Sequence, residues 1–143
     1  MSAAAYIAEV MSCLDTRWVH QGRMKGAGLD CLGLIGMSAL ALDLPGAAQW
    51  RATPEYHNYG RNPDPELMFA GCDALMDRVA IADAAAADVL VFRCGRHPMH
   101  FGLLSAADRM IHAWLGAGRV IEQRLDAKWA ARIVRAYRLR GIE

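Results

Sequence analysis

At Asp88 the residue pattern changes from helical to strand-like, and that change constrains the fold more than any other feature of the chain. Val89–Arg93, Met99–Leu104, Arg109–Leu115, Val120–Leu125 and Ile133–Leu139 are short and rich in apolar or β-branched residues. Turn signals separate them: Gly95, Ala106-Ala107-Asp108 and Gly116-Ala117-Gly118. Asp126–Ala131, between the last two, reads as a short helical turn. Upstream, apolar Ile7, Val10, Met11 and Leu14 recur at helical spacing, which predicts a helix from Ser2 to about Leu14 with Ser2 as its cap. A second helix is expected over Cys31–Leu44, closed by Pro45-Gly46. A third opens at Asp64-Pro65-Glu66 and is expected to run through about Val79. Helices first and an antiparallel meander afterwards define an α+β class.

At 143 residues, 55% of them hydrophobic, the sequence is read as a single domain over 1–143 with a core of its own. The net charge of +1 conceals an asymmetry: residues 1–87 carry six Lys/Arg against ten Asp/Glu, and residues 88–143 carry ten against five. The basic half lacks interleaved aromatics in a nucleic-acid motif, so no nucleic-acid partner is expected. Cys13, Cys31, Cys72 and Cys94 form no CxxC pair, which argues against a zinc knuckle or a disulfide framework. Glu9 interrupts the first apolar run and no basic segment precedes it, so no secretion signal is read there. No stretch has the length of a membrane span. Residues 46–63, with the Tyr56-His57-Asn58-Tyr59-Gly60 cluster, read as an irregular loop suited to a substrate rim. Ala84–Ala87 reads as a connector.

The stretch from Gly22 to Ile35 carries the chemistry. A glycine-loosened loop runs into Asp30-Cys31 and then directly into an apolar helix. A cysteine at a helix N-terminus meets unpaired N–H groups and the positive end of the dipole, which favour a thiolate. Such a nucleophile needs a base, and the base needs an orienting group. Among the five histidines, His100 and His112 flank one tight turn. If the hairpin pairs residues whose numbers sum to 212 or 214, the two lie on one face, directly opposite or diagonal. If the Cys31 helix packs on that face, Cys31, His100 and His112 converge. Histidines so paired also suit a metal, with Cys31 or Cys94 as a third ligand, although the spacing matches no compact zinc site. Gly33 and Gly36 inside the second helix predict another element packed very close to it.

The order Asp30-Cys31-Leu32-Gly33, Asp88-Val89-Leu90-Val91-Phe92, His100-Phe101-Gly102-Leu103-Leu104 and Met110-Ile111-His112-Ala113 resembles the NlpC/P60 family. These are papain-like cysteine peptidases that cut bacterial peptidoglycan. The resemblance spans about residues 2–140. It implies a papain-like fold with N-terminal helices packed on a five- to six-stranded antiparallel sheet. It also implies Cys31 as nucleophile, His100 as general base and His112 as the residue orienting His100, with no metal or cofactor. The loop Trp18-Val19-His20-Gln21-Gly22-Arg23 is similar to that of phage-tail and gene-transfer-agent members. Trp18 stands near the position of a tyrosine in many cell-wall members and lacks its hydroxyl, which makes His20 and Gln21, with Trp18 itself, candidate accessory residues. Leu32 follows the cysteine where the family often has serine.

The function expected from this resemblance is hydrolysis of an amide bond in peptidoglycan stem peptides, between D-glutamate and meso-diaminopimelate. The implied setting is a virion tail tip: the protein is made in the host cytoplasm, partners tail-tip or baseplate proteins, and acts in the periplasm during DNA delivery. A structural tail-tip subunit with little activity, or an acyltransferase or amidase on the same fold, are the alternatives.

Overall fold

The computed structural model describes residues 1–54, 59–60 and 64–143, with the side chain of His97 excepted. Helix α1 (Ala3–Met11) starts where Ser2 accepts a hydrogen bond from Ala5 N and buries Tyr6 and Val10. The Tyr6 hydroxyl donates to Ile35 O at 2.9 Å, tying α1 to helix α2 (Cys31–Ala41). The segment between them, read as loop, holds a small antiparallel pair, β1 (Arg23–Met24) and β2 (Gly28–Leu29).

Helix α3 (Ala47–Ala52) lies inside the stretch expected to be irregular. Gly46, at φ 83°, supplies the left-handed turn that lets a helix restart directly after Pro45. Tyr56, His57, Asn58 and Pro63 of the proposed rim lie outside the described residues. Helix α4 (Pro65–Leu75) has the expected Asp64 cap and Pro65 at its first position, but it stops at Leu75 instead of continuing to Val79. Met76–Val79 form strand β3. The cause is remote in sequence: Arg140 donates to Ala74 O at 2.7 Å and pairs with Asp77 at 3.1 Å, closing the helix and holding the strand.

A single 3₁₀ turn (Ile81–Asp83) leads to the meander: β4 (Val89–Cys94), β5 (His97–Ala106), β6 (Arg109–Trp114) and β7 (Arg119–Arg124). The short helix α5 (Ala127–Ala130) and strand β8 (Ile133–Leu139) follow. The sheet has six antiparallel strands in the order β3-β8-β4-β5-β6-β7. Side chains alternate across it. Val89, Val91, Phe101, Leu103, Ile111 and Ala113 pack with the helices α1 and α2. Leu90, Phe92, Leu104 and Met110 face the other way and close over Trp129 of α5.

The two helical glycines of α2 are explained by close approach. A Cβ on Gly33 would stand 2.2 Å from Gly22 O, and one on Gly36 would stand 1.6 Å from the Trp50 ring. Gly36→Ala is therefore expected to lower stability by about 1–3 kcal/mol, because overpacking exceeds the gain in helix propensity of about 1 kcal/mol. A urea midpoint equal to or above that of the wild type would contradict this account.

Candidate active site

The start of α2 is built by the loop ahead of it. Asp30 caps the helix, accepting from Gly33 N at 2.8 Å. Its carboxylate also accepts from Gln21 N at 2.8 Å, from Arg23 Nη1 at 2.9 Å and from the Tyr59 hydroxyl. Arg23 Nη2 donates to the same hydroxyl at 2.6 Å, and Gln21 Nε2 donates to Tyr59 O at 2.6 Å. Gln21 holds a left-handed backbone, φ 58°, which aims its N–H at Asp30. His20 stacks on Trp18 and meets the edge of Tyr59. Trp18, His20 and Gln21 therefore brace the segment around Asp30. The Tyr59 hydroxyl stands between the Asp30 carboxylate and the Arg23 guanidinium. Sequence reasoning placed Tyr59 only in an aromatic cluster, without linking it to Asp30.

Cys31 lines a cleft of about 640 Å³ together with Leu32, Trp50, Tyr59, Met68 and Phe101. Its thiol donates to Met99 O at 3.9 Å. The ladder between β4 and β5 passes from Phe92↔His100 to Arg93↔Pro98, so Met99 sits in a bulge at the point where the sulfur meets the strand. Bulges of this kind bend a strand and re-aim its side chains. Burial and the Asp30 carboxylate push the thiol up to about 12, against the lowering effect of the Phe101 and Leu32 N–H groups. This corrects the expectation of a thiolate. At neutral pH desolvation outweighs the helix terminus, and Cys31 rests as a thiol.

The β5–β6 hairpin pairs Leu103↔Ile111 and Leu104↔Met110, a sum of 214. His100 and His112 are accordingly diagonal neighbours on one face, and His100 Nε2 lies 2.7 Å from His112 Nδ1. The face differs from the one expected. Helix α2 packs on the Phe101 side, whereas the histidine rings stand with Phe92, Trp114 and Trp129 on the other. Cys31 reaches the histidine strand through the backbone at Met99, beside His100, instead of through a shared face. His112 Nε2 is held by Gln123 Oε1 at 2.8 Å. Burial lowers both rings below the ordinary imidazole range, His100 well below it with His112 adding to the effect. Both rest neutral.

These shifts predict a stability profile. The unfolded chain takes up protons on these imidazoles below about pH 6.5, while the folded chain refuses them. Stability is therefore full above that pH and falls as pH drops, by about 1.4 kcal/mol per pH unit for each proton excluded. Toward the alkaline side, the raised Cys31 contributes stability below about pH 8.5 that is lost as pH climbs toward 12. Thermal melts at pH 7.5 and 5.5 check the acid limb; equal midpoints would contradict it.

Among the described residues, no group of three His, Cys, Asp or Glu side chains is arranged to hold a metal ion. Among the same residues, no helix is long and apolar enough to cross a membrane.

No family model matches the sequence, and no curated protein matches it. Solved structures do. The chain is similar to the NlpC/p60 domain of the peptidoglycan hydrolase SagA, with 18% identity over 97% of this chain and 100% of that one, at a TM-score of 0.67. An NlpC/P60 family protein from Bacillus cereus gives 16% identity and a TM-score of 0.66, over 97% of this chain and 40% of that one. The peptidoglycan hydrolase RipB from Mycobacterium tuberculosis gives 20% identity and 0.54, over 95% of this chain and 65% of that one. The chain has the NlpC/P60 fold.

Proposed function

We propose that the protein is a cysteine peptidase that hydrolyses an amide bond in peptidoglycan stem peptides, with Cys31 as nucleophile, His100 as general base and His112 orienting His100. One observation carries this reading. His100 on β5, joined at 2.7 Å to His112 on β6, is the next residue after the one whose carbonyl holds the cleft thiol. The fold is that of peptidoglycan hydrolases such as SagA and RipB, which supports the substrate class.

The resting state is a thiol held at Met99 O and a neutral imidazole on the next residue of the strand, so the proton moves as the bond forms. Substrate entering the cleft turns Sγ from Met99 O toward His100. Sγ then attacks the amide carbonyl, and its proton passes to His100. The oxyanion is met by the Cys31 backbone N–H at the open end of α2. His100 returns the proton to the leaving amine, which departs and leaves a thioester on Cys31. Water, deprotonated by His100, then cleaves the thioester and frees the thiol. Each step uses only protons and atoms of thiol, substrate and water.

The finer reading places the scissile bond between D-glutamate and meso-diaminopimelate and the protein in a phage tail tip or gene-transfer particle, bound to tail-tip or baseplate proteins and acting in the periplasm. The His20-Gln21-Gly22-Arg23 loop supports it. The test is mass analysis of a purified peptidoglycan digest. Fragments carrying one added water and a new diaminopimelate amine are the expected products. Products of acyl transfer, without added water, would favour the acyltransferase alternative, and intact peptidoglycan would favour a structural subunit.

A further inference from the structure

We propose that Gln123 is a positioning residue that sets the direction of proton flow along the histidine pair; this rests on the reading of His100 as the base. His112 is completely buried, and its ring is fixed by stacking on Trp114 at 5.9 Å and 14° and by the edge contact with Trp129 at 5.1 Å. The ring therefore presents Nδ1 to His100 and Nε2 to Gln123, and to nothing else polar among the described residues. A neutral imidazole has one N–H and one lone pair, so two chains of hydrogen bonds are compatible with the distances.

Only one of them is useful. With the Gln123 oxygen facing the ring, His112 carries its hydrogen on Nε2 and donates to that oxygen at 2.8 Å. Its Nδ1 is then an acceptor, so His100 donates from Nε2, and His100 Nδ1 keeps a lone pair ready for the Cys31 proton. If the amide nitrogen faced the ring, each bond would reverse. His100 would then carry its hydrogen on Nδ1 and have no lone pair there to receive a proton. The useful chain also survives the transfer: an imidazolium His100 still donates from Nε2 to His112. The orientation of one half-buried amide on β7, two strands away from the sheet position of Met99, thus decides whether the base is competent.

The test reads tautomers directly. ¹⁵N–¹H correlation spectra of the ring nitrogens in the full chain at neutral pH are expected to show the Nε2–H form for both His100 and His112. In Gln123→Met, which keeps volume and removes the acceptor, Nδ1–H forms of His112 and His100 are expected to appear. Turnover of the stem peptide should then fall about tenfold or more through kcat, with KM unchanged. Gln123→Glu can only accept, so it is expected to keep the wild-type tautomers. It should retain kcat at its plateau and move the acid limb of the kcat profile to higher pH, because a carboxylate favours the protonated pair. Wild-type tautomers and kcat in Gln123→Met would overturn the inference, as would loss of the Nε2–H form in Gln123→Glu. The spectra need no substrate. Failure to cut peptidoglycan with the expected tautomers intact therefore counts against the proposed activity and leaves this inference standing.

Discussion

Cys31→Ala is expected to abolish stem-peptide hydrolysis, by at least about 10³-fold in kcat, while the fold persists. The asymmetry between the two effects follows from what the thiol touches. In the fold it donates to Met99 O over a long 3.9 Å contact, and removing so weak a bond costs at most about 1 kcal/mol. Asp30, Gly33 and the packing of Leu34 and Ile35 are untouched by the change. Chemistry, by contrast, has no other thiol at the end of α2. Cys72 also lines the cleft, but it sits on α4 and is buried. Circular dichroism and thermal melts establish the fold, and release of new amines from peptidoglycan reports the rate. An inactive variant that is also unfolded would leave Cys31 a structural residue and contradict the first half of the expectation.

Asp30→Ala is expected to lower stability by about 3–5 kcal/mol, because it leaves the part-buried Arg23 guanidinium without its carboxylate. The carboxylate is 4% exposed and takes hydrogen bonds from two backbone N–H groups, a guanidinium and a hydroxyl. Removing it also strips the cap from α2, worth about 1 kcal/mol. Asp30→Asn separates the two contributions. Asparagine still caps a helix but carries no charge for Arg23, so its loss should fall between that of alanine and none. Denaturation in urea checks both. A midpoint shift in Asp30→Ala worth under about 1 kcal/mol would show that the Arg23–Asp30–Tyr59 cluster is not the clamp described above. Activity should fall in both variants as well, since Cys31 is the next residue and its position depends on the cap.

Much of this site is legible in local sequence because it is built from hairpins and helix starts. Strand alternation puts His100 and His112 on one face in either even register of a short hairpin, and the sum of 214 is one of the two anticipated. The same arithmetic across Gly116-Ala117-Gly118 would have found Gln123: Met110↔Gln123 and His112↔Ile121 make it the diagonal neighbour of His112. The glycines of α2 signalled a close neighbour correctly, but not that Gly22 and Trp50 were the neighbours.

What escaped local reading was set by distant contacts or by desolvation. Helix α4 ends early because Arg140 closes it from the far end of the chain, and no residue near Leu75 announces that. Tyr59 reaches Asp30 across 29 positions. The thiolate expected at a helix N-terminus is overruled by burial, which depends on the packing of the whole domain. The helix and the histidines occupy opposite faces because Phe101, Leu103, Ile111 and Ala113 offer α2 the apolar side. That choice is clear only once both faces of the sheet have been assigned, and Trp129 on α5 is what covers the second.

The central claim is that the Cys31 sulfur becomes covalently acylated during turnover. Quenching the protein in acid during turnover of a stem peptide, followed by mass analysis of its cysteine-containing fragments, tests this directly. The account predicts a mass increase on the Cys31 fragment equal to the substrate minus its leaving amine, with Cys13, Cys72 and Cys94 unmodified and no adduct in Cys31→Ala. Hydrolysis at an undiminished rate in Cys31→Ala, or in protein whose Cys31 has been carbamidomethylated, would contradict it.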